Sequence, residues 1–529
     1  MLATGSSRVD ASSERKNGFS RATCCVANQW GTWNFRALLS VFAAGTVLVL
    51  HLLRVADSPL YFDEAFNLQV PLNLALAGKY QTWYGEPKPF NYHITTGPTV
   101  LLPVAGMFLL FGPNPIAARL VMTGYFLLFL YVCWKFCCRL LQESAHRLFA
   151  LACAFLVIIP ELLLYSARVL GELPAVALFL AGTLVVERQR DHGSRWHAFA
   201  GGVLLGLAVL TKLVLALMVP VALLAVLASR QKGAAIRERI VAGFVLVVGA
   251  GLPLLAWEGL QVAHFGVAGW LQLLERRWFF LLFAGSGLNW MALTQPERGP
   301  WAHVVQLATT FGRSPQLIAL GLSLLWVAYG AFLKRSNFCG RVLFAATMVH
   351  FAWWVFLSSW VVYHHLVVGL FFHTLAGAYL LLRTMSASWR SRYRGMMFRL
   401  AVAAGLLCSM PWPQRNTSTL PYSFREQQYV ANRLIELLHA SNSRSVWAFG
   451  WSQVPAVSFL AQVPFGNIAA RSAPLGEGNH FFIVEAKASS EALAYAHDHC
   501  AEWLVQSPAG SICRLRPNAP PGKESFPVP

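Results

Sequence analysis

Long apolar runs recur along this 529-residue chain, most of them near the roughly 20 residues with which one helix crosses the hydrocarbon core of a bilayer. They stand at 37–53, 116–134, 148–164, 173–186, 240–257, 315–333, 342–360, 365–382 and 397–411. A longer run, 198–228, is interrupted by Lys212. Composition agrees: 56% of residues are hydrophobic and 12% charged. A soluble protein carries about twice that charged share. A single water-soluble enzyme, a disordered chain, a collagen-like fibre and a disulfide-stapled small domain are excluded.

The net charge of +19 invites a nucleic-acid reading until the bases are located. They cluster in the N-terminal arm and in short loops around Lys135/Arg139/Arg147, Arg188/Arg190/Arg195, Arg230/Lys232/Arg237/Arg239, Lys334/Arg335/Arg341 and Arg383/Arg390/Arg392/Arg394/Arg399. That is a topology signal and not a phosphate-backbone footprint. All clusters fall on one side only if 198–228 is a hairpin turning near Lys212. The expectation is an all-α polytopic membrane protein of about eleven spans, with residues 1–36 a cytoplasmic arm and the C-terminus outside.

The expected domains are therefore 1–36, a membrane domain over 37–411, and 412–529 outside. Two external loops, 54–115 and 259–313, belong to the membrane domain. Within the first, 98–112 reads as a helix lying along the membrane surface. The second is rich in Trp, Phe and Gly and is expected to lie over the site as a flexible cover. The tail turns soluble in composition: an amphipathic helix at 425–440, strand-like SVWAFG, FFIVE and EWLVQS, and a helix at 490–499. It reads as a small α/β domain with a Pro-rich, unstructured end. Cys500 and Cys513 share it and can pair in an oxidising compartment. Cys133, Cys137 and Cys138 read as packing residues.

The chain has only 23 acidic residues, and none falls mid-span. Ion-coupled transporters generally carry ionisable groups inside the membrane, which argues against a transporter or lipid flippase, the alternative class. The acids gather at the outer face. Asp63-Glu64 lies in LYFDEAFN; such a pair is either a solvated surface loop or, in these apolar surroundings, a functional pair. Glu172 follows Arg168 by one turn, an ion pair or a pair aimed into the protein. Lys212 either snorkels to the interface or binds a phosphate. Tyr363-His364-His365 forms an outer turn suited to an anion or, less readily, a metal. His93, Arg119, Arg276 and Arg277 are further outer-face candidates. No phosphate-binding loop, dinucleotide fingerprint, zinc-protease helix or serine-hydrolase elbow is present.

The succession of an acidic pair, NLALAGKY, HITTGPTVLLP, FGPNPIAARL, PELLLYSARVLGELPAVALF and GLAVLTKLVLALMVP resembles the GT-C superfamily of polytopic membrane glycosyltransferases. The type is the bacterial branch related to protein O-mannosyltransferases and the lipid A aminoarabinose transferase. The resemblance is good over 37–230, looser to about 411, and fades in the tail. It implies a sugar donor linked to polyprenyl phosphate, an acceptor lipid, glycan or protein, and a site on the external side of a bacterial cytoplasmic membrane. Asp63 would be the general base and Glu64 its neighbour. Glu172 would be the second acid, and Thr211-Lys212 would lie near the donor phosphate. Tyr363 would stand near the lipid phosphate, with His364 and His365 beside it where relatives carry other residues. A divalent metal ion is the one cofactor considered, held by Glu64 and Glu172.

Overall fold

The computed structural model describes residues 18–83, 87–228, 236–279, 337–356, 363–388, 423–443, 445–449, 455–468, 473–485 and 490–521. Helices dominate it. Helix α1 (Gly18–Asp57) is followed by α2 (Phe62–Ala77), a two-stranded hairpin β1 (Gln81–Thr82) and β2 (Lys88–Pro89), α3 (Pro98–Phe111) and α4 (Pro115–Leu140). Next come α5 (Ala145–Ile158), α6 (Pro160–Ala167), α7 (Glu172–His192), α8 (Arg195–Thr211), a 3-10 turn (Leu213–Met218) and α9 (Val219–Leu227). The bundle continues with α10 (Ile236–Phe279), α11 (Phe338–Phe356) and α12 (Tyr363–Ser388).

The protein is an integral membrane protein. Among the described residues, four segments are long and apolar enough to span: Ala37–Asp57, Pro115–Leu140, Ile236–Trp278 and Leu366–Arg383. The first packs by one side and turns Val41, Phe42, Val49 and Leu53 outward, as a helix at the lipid boundary does. The run expected as one span over 148–164 is instead broken. Helices α5 and α6 meet at 89°, because Pro160 keeps Ile159 out of the helical region (φ −104°, ψ 85°). The runs 315–333 and 397–411 lie outside the described residues, so the count of eleven is not decided by them.

The hairpin at Lys212 is present, and glycine contacts give its geometry. A side chain at Gly202 would strike the Leu246 carbonyl, and one at Gly206 the Ala250 carbonyl. Moving along α8 thus moves the same way along α10. The two helices are parallel and nearly in backbone contact, the small-residue packing common in membranes. Two parallel neighbours need a return limb between them, and the 3-10 turn with α9 supplies it. Helices α7 and α8 are antiparallel, with Gly182 against Leu205 and Gly201 against Val186. So the start of α7 and the end of α8 share one end of the bundle.

The segment expected as a flexible cover from 259 onward is helical to Phe279, kinked at Gly266 (φ 69°). Its first half seats the first external loop through an aromatic cluster of Tyr80, Phe90, Trp257, His264 and Phe265. Residues 280–313 lie outside the described set.

The tail is the expected α/β domain. Helix α13 (Phe424–Ser441) opens with a capping box of Ser423 and Glu426. There follow β3 (Ser445–Ala448), α14 (Pro455–Ala461), β4 (Gly466–Asn467), β5 (His480–Glu485), α15 (Ser490–His499), β6 (Cys500–Ser507) and β7 (Gly510–Leu515). The sheet order is β4-β3-β5-β7-β6, parallel around β3 and antiparallel around β7. Cys500 and Cys513 form a disulfide across β6 and β7, with Cα atoms 5.8 Å apart. Cys133, Cys137, Cys138 and Cys153 of the membrane bundle form no disulfide.

Candidate active site

Four chain segments converge at one end of the bundle: the α1–α2 junction, the loop before α3, the α6–α7 junction and the end of α8. Close backbone approach fixes them together. A side chain at Gly97 would lie 1.6 Å from the Leu210 carbonyl, and one at Gly171 would lie 2.6 Å from that of Thr211. Only glycine lets these segments meet. The Gly97 N–H donates to the Thr211 carbonyl at 3.0 Å, and Lys212 bridges Thr96 in antiparallel fashion. The Thr99 and Thr211 hydroxyls bond at 2.6 Å. Asn67, one turn into α2, donates to Thr96 Oγ1 at 2.8 Å and to the Val169 carbonyl at 3.0 Å.

Asp63 and Glu64, adjacent in the first turn of α2, face different surroundings. Glu64 is fully buried. Arg119 donates to both its oxygens, Nε to Oε1 at 2.8 Å and Nη2 to Oε2 at 2.7 Å. The Val169 N–H adds a third bond at 3.2 Å. Arg119 also donates to the carbonyls of Val55, Ser58 and Pro59. This pair ties the α1–α2 junction to α4 and leaves Glu64 no oxygen for substrate or metal. Glu172, the other residue expected to hold a metal, is bonded to Lys212. Among the described residues no group of three potential metal ligands exists.

Asp63 is partly buried and accepts no hydrogen bond among the described residues. Burial pushes its carboxyl up to about 6; Glu172 adds to the rise, and Lys212 and Arg168 oppose it. These residues sense one another, so they share one site. Glu172 begins α7 and is buried; its Oε1 holds Lys212 Nζ at 2.7 Å. Lys212 also donates to Thr95 Oγ1 at 3.1 Å. The second Glu172 oxygen is buried with no hydrogen-bond partner. Arg168 is buried too, and its three guanidinium nitrogens lack hydrogen-bond partners. Its guanidinium lies over the rings of Tyr61 at 4.4 Å and Tyr165 at 5.3 Å. Burial raises the Tyr61 phenol to about 12, so it stays neutral. Of the two alternatives for Arg168 and Glu172, the structure has both buried in the protein, with Glu172 paired to Lys212 instead.

His93 lies in the same loop, stacked on Tyr92 at 4.3 Å. Burial, then Lys88, pulls it down to about 4, so it is neutral at pH 7. Arg277 does not join the site but bonds Glu258 on its own helix. Tyr363 is the first residue of α12; the side chains of Tyr363, His364 and His365 lie outside those described. Arg119, one of the outer-face candidates, has Glu64 as its partner, which the sequence reading missed although a lone arginine in an apolar helix start is itself a signal of a buried partner. Asn67, Thr95 and Tyr61 carried no comparable signal.

No family model and no curated protein matches this chain. Solved structures do. ArnT from Cupriavidus metallidurans bound to undecaprenyl phosphate aligns over 90% of this chain and 97% of its own, with TM-score 0.54 and 12% identity. This chain shares the fold of that ArnT structure. The apo form of the same ArnT aligns over the same shares at TM-score 0.52 and 12% identity. An Archaeoglobus fulgidus oligosaccharyltransferase tethered to an acceptor peptide aligns over 94% of this chain and 75% of its own, at 12% identity. Its TM-score of 0.47 is too low to build on. The shared fold covers 90% of the chain, so it extends past residue 230, into the region where the sequence resemblance loosens.

Proposed function

We propose that this chain transfers a monosaccharide from a polyprenyl-phosphate donor to an acceptor hydroxyl, with Asp63 as general base. The observation that carries this is the state of Asp63. It is a carboxyl without a hydrogen-bond partner among the described residues, held near 6, beside two cations. A base of that strength is largely ionised at neutral pH yet strong enough to accept a hydroxyl proton as the bond forms.

In the step so derived, the acceptor O–H gives its proton to Asp63 while its oxygen bonds to the anomeric carbon. The bond from that carbon to the phosphate oxygen breaks on the opposite side, with inversion. The leaving polyprenyl phosphate gains negative charge. Lys212 and Arg168 meet it, cations preorganised where charge develops. Arg168 is the stronger argument of the two, since a buried guanidinium with unmade hydrogen bonds is costly until an anion accepts them. Glu172 positions Lys212 and offers its open oxygen to a sugar hydroxyl. His93, Tyr363, His364 and His365 line the approach in this reading. No step is routed through a metal.

The likeness to a fold seen with undecaprenyl phosphate supports the donor class. The disulfide in the tail supports an external, oxidising side for the 412–529 domain, and the distribution of basic loops supports a cytoplasmic side for residues 1–36. The membrane is in this reading the bacterial cytoplasmic membrane, with 37–411 as its catalytic domain. The test is to incubate membranes containing the protein with labelled polyprenyl-phosphate monosaccharides. The wild type releases polyprenyl phosphate and forms labelled product. Asp63→Asn inserts equally well and forms none, a loss of about 10²–10⁴-fold. Wild-type turnover by that variant overturns the reading.

A further inference from the structure

Between α1 and α2 the chain runs non-helically through Ser58–Tyr61. Its buried backbone groups need partners from elsewhere. Arg119 takes the Ser58 and Pro59 carbonyls. Leu60 is served from the far end of the sequence. Its N–H donates to Gln427 Oε1 at 2.8 Å, and Gln427 Nε2 donates to its carbonyl at 2.9 Å. Gln427 sits on α13 of the tail domain and is 2% exposed. A primary amide matches a peptide unit because it carries a donor and an acceptor side by side. Apolar contact extends the same docking. Ala456 and Phe459 of α14 pack in one cluster with Leu60, Ala65 and Leu68, and the Phe459 ring stacks near Phe108 at 5.7 Å.

We propose that the C-terminal domain is a working part of the site, with Gln427 a positioning residue that holds the Leu60 backbone and so sets where the Asp63 carboxyl stands. Asp63 begins its helix three residues beyond the clamp, facing Tyr61, Arg168, Glu172 and Lys212. Loosening the turn lets water reach it. The significance of this placement rests on Asp63 being the base; the placement itself is measured without turnover.

The experiment uses the full chain in detergent. Dicyclohexylcarbodiimide, which modifies protonated carboxyls, is applied across a pH series, and labelling of Asp63 is read by mass spectrometry. Amide exchange is followed over 58–66. In the wild type, labelling falls away with a midpoint near 6. Gln427→Met keeps the bulk and loses both hydrogen bonds. Its midpoint moves toward the ordinary aspartate value of about 4, and exchange over 58–66 quickens. Gln427→Glu resembles wild type at pH 5, where a protonated acid both donates and accepts, and resembles Gln427→Met at pH 8. Arg433→Ala, exposed on the same helix, changes neither readout.

Unchanged midpoint and exchange in a folded Gln427→Met overturn the inference. If that variant does not fold, a Gln427→Glu chain that behaves alike at pH 5 and pH 8, relative to wild type, overturns it instead. Should Asp63→Asn retain transfer while these readouts shift, the catalytic reading fails and the clamp stands. If Asp63→Asn is inactive and the readouts stay put, the clamp alone fails.

Discussion

Two buried carboxylate–cation pairs stand at the same end of the bundle, and they differ in how completely they are satisfied. In Glu64–Arg119 every carboxylate oxygen is bonded, and the guanidinium spends its remaining donors on three backbone carbonyls. In Glu172–Lys212 one oxygen stays unbonded, and Arg168 close by has no hydrogen-bond partner on any nitrogen. The first arrangement has nothing left to offer a ligand and serves as architecture. The second is unfinished without one. Burial and charge alone would have ranked them equal; the count of unmade bonds separates them.

The comparison breaks most sharply at Arg119. Removing one member of a saturated buried pair strands the other charge, at a cost of about 3–5 kcal/mol. Arg119→Met should therefore lower the unfolding midpoint in detergent and cut yield. Glu64→Gln, which keeps the shape and one of the two acceptor oxygens, should do so less. If Arg119→Met is as stable as wild type yet inactive, the division between architecture and site is drawn in the wrong place.

At the unfinished pair the loss should fall on donor binding. Lys212→Met removes one charge-assisted contact to the phosphate, worth about 1.5–3 kcal/mol, or roughly ten- to a hundredfold in affinity. Undecaprenyl phosphate binding, measured by competition against a labelled lipid phosphate, should weaken by that factor, with a smaller effect on stability than Arg119→Met. Equal donor affinity in wild type and variant would remove Lys212 from the phosphate.

The sequence made the membrane architecture readable because hydropathy and charge act residue by residue. Lys212 is an example: the distribution of bases alone required a turn there, and the parallel packing of α8 on α10 bears it out. The tail's α/β character was legible from its alternating elements, and its cysteine pair from their shared compartment. What was not legible depends on partners distant in the chain. Glu64 and Arg119 are 55 residues apart, and no local pattern says which cation a carboxylate will meet. Glu64 therefore read as a catalytic residue and metal ligand with no sign that Arg119 holds it, and the sequence left open whether Arg168 pairs with Glu172 or both point into the protein. The 89° break at Pro160 was hidden by an unbroken apolar run, although the proline itself was the available signal. The tail–α2 clamp spans 367 residues and turns on one glutamine, a residue type that carries no mark of its own.

The finest test of the contrast is the pH dependence of Asp63, where activity and stability should move in opposite directions. Its carboxyl is raised from 3.8 to about 6 in the folded chain. A raised acid binds more protons folded than unfolded between those values. Its stabilising contribution is thus complete below about 4 and is lost as pH climbs through 6. The shift would correspond to a few kcal/mol at full strength; the group is partly exposed, and solvent screening reduces this to on the order of 1 kcal/mol. Asp63→Asn should therefore be slightly more stable than wild type at pH 8 and indistinguishable from it near pH 4, read as paired unfolding midpoints in detergent. Wild-type transfer should run the other way, falling about tenfold for each pH unit below 6 as the base fills with protons. A stability gain for Asp63→Asn that grows on acidification would mean that the carboxyl is held in its ionised form, and the two neighbours would then belong to the same saturated network.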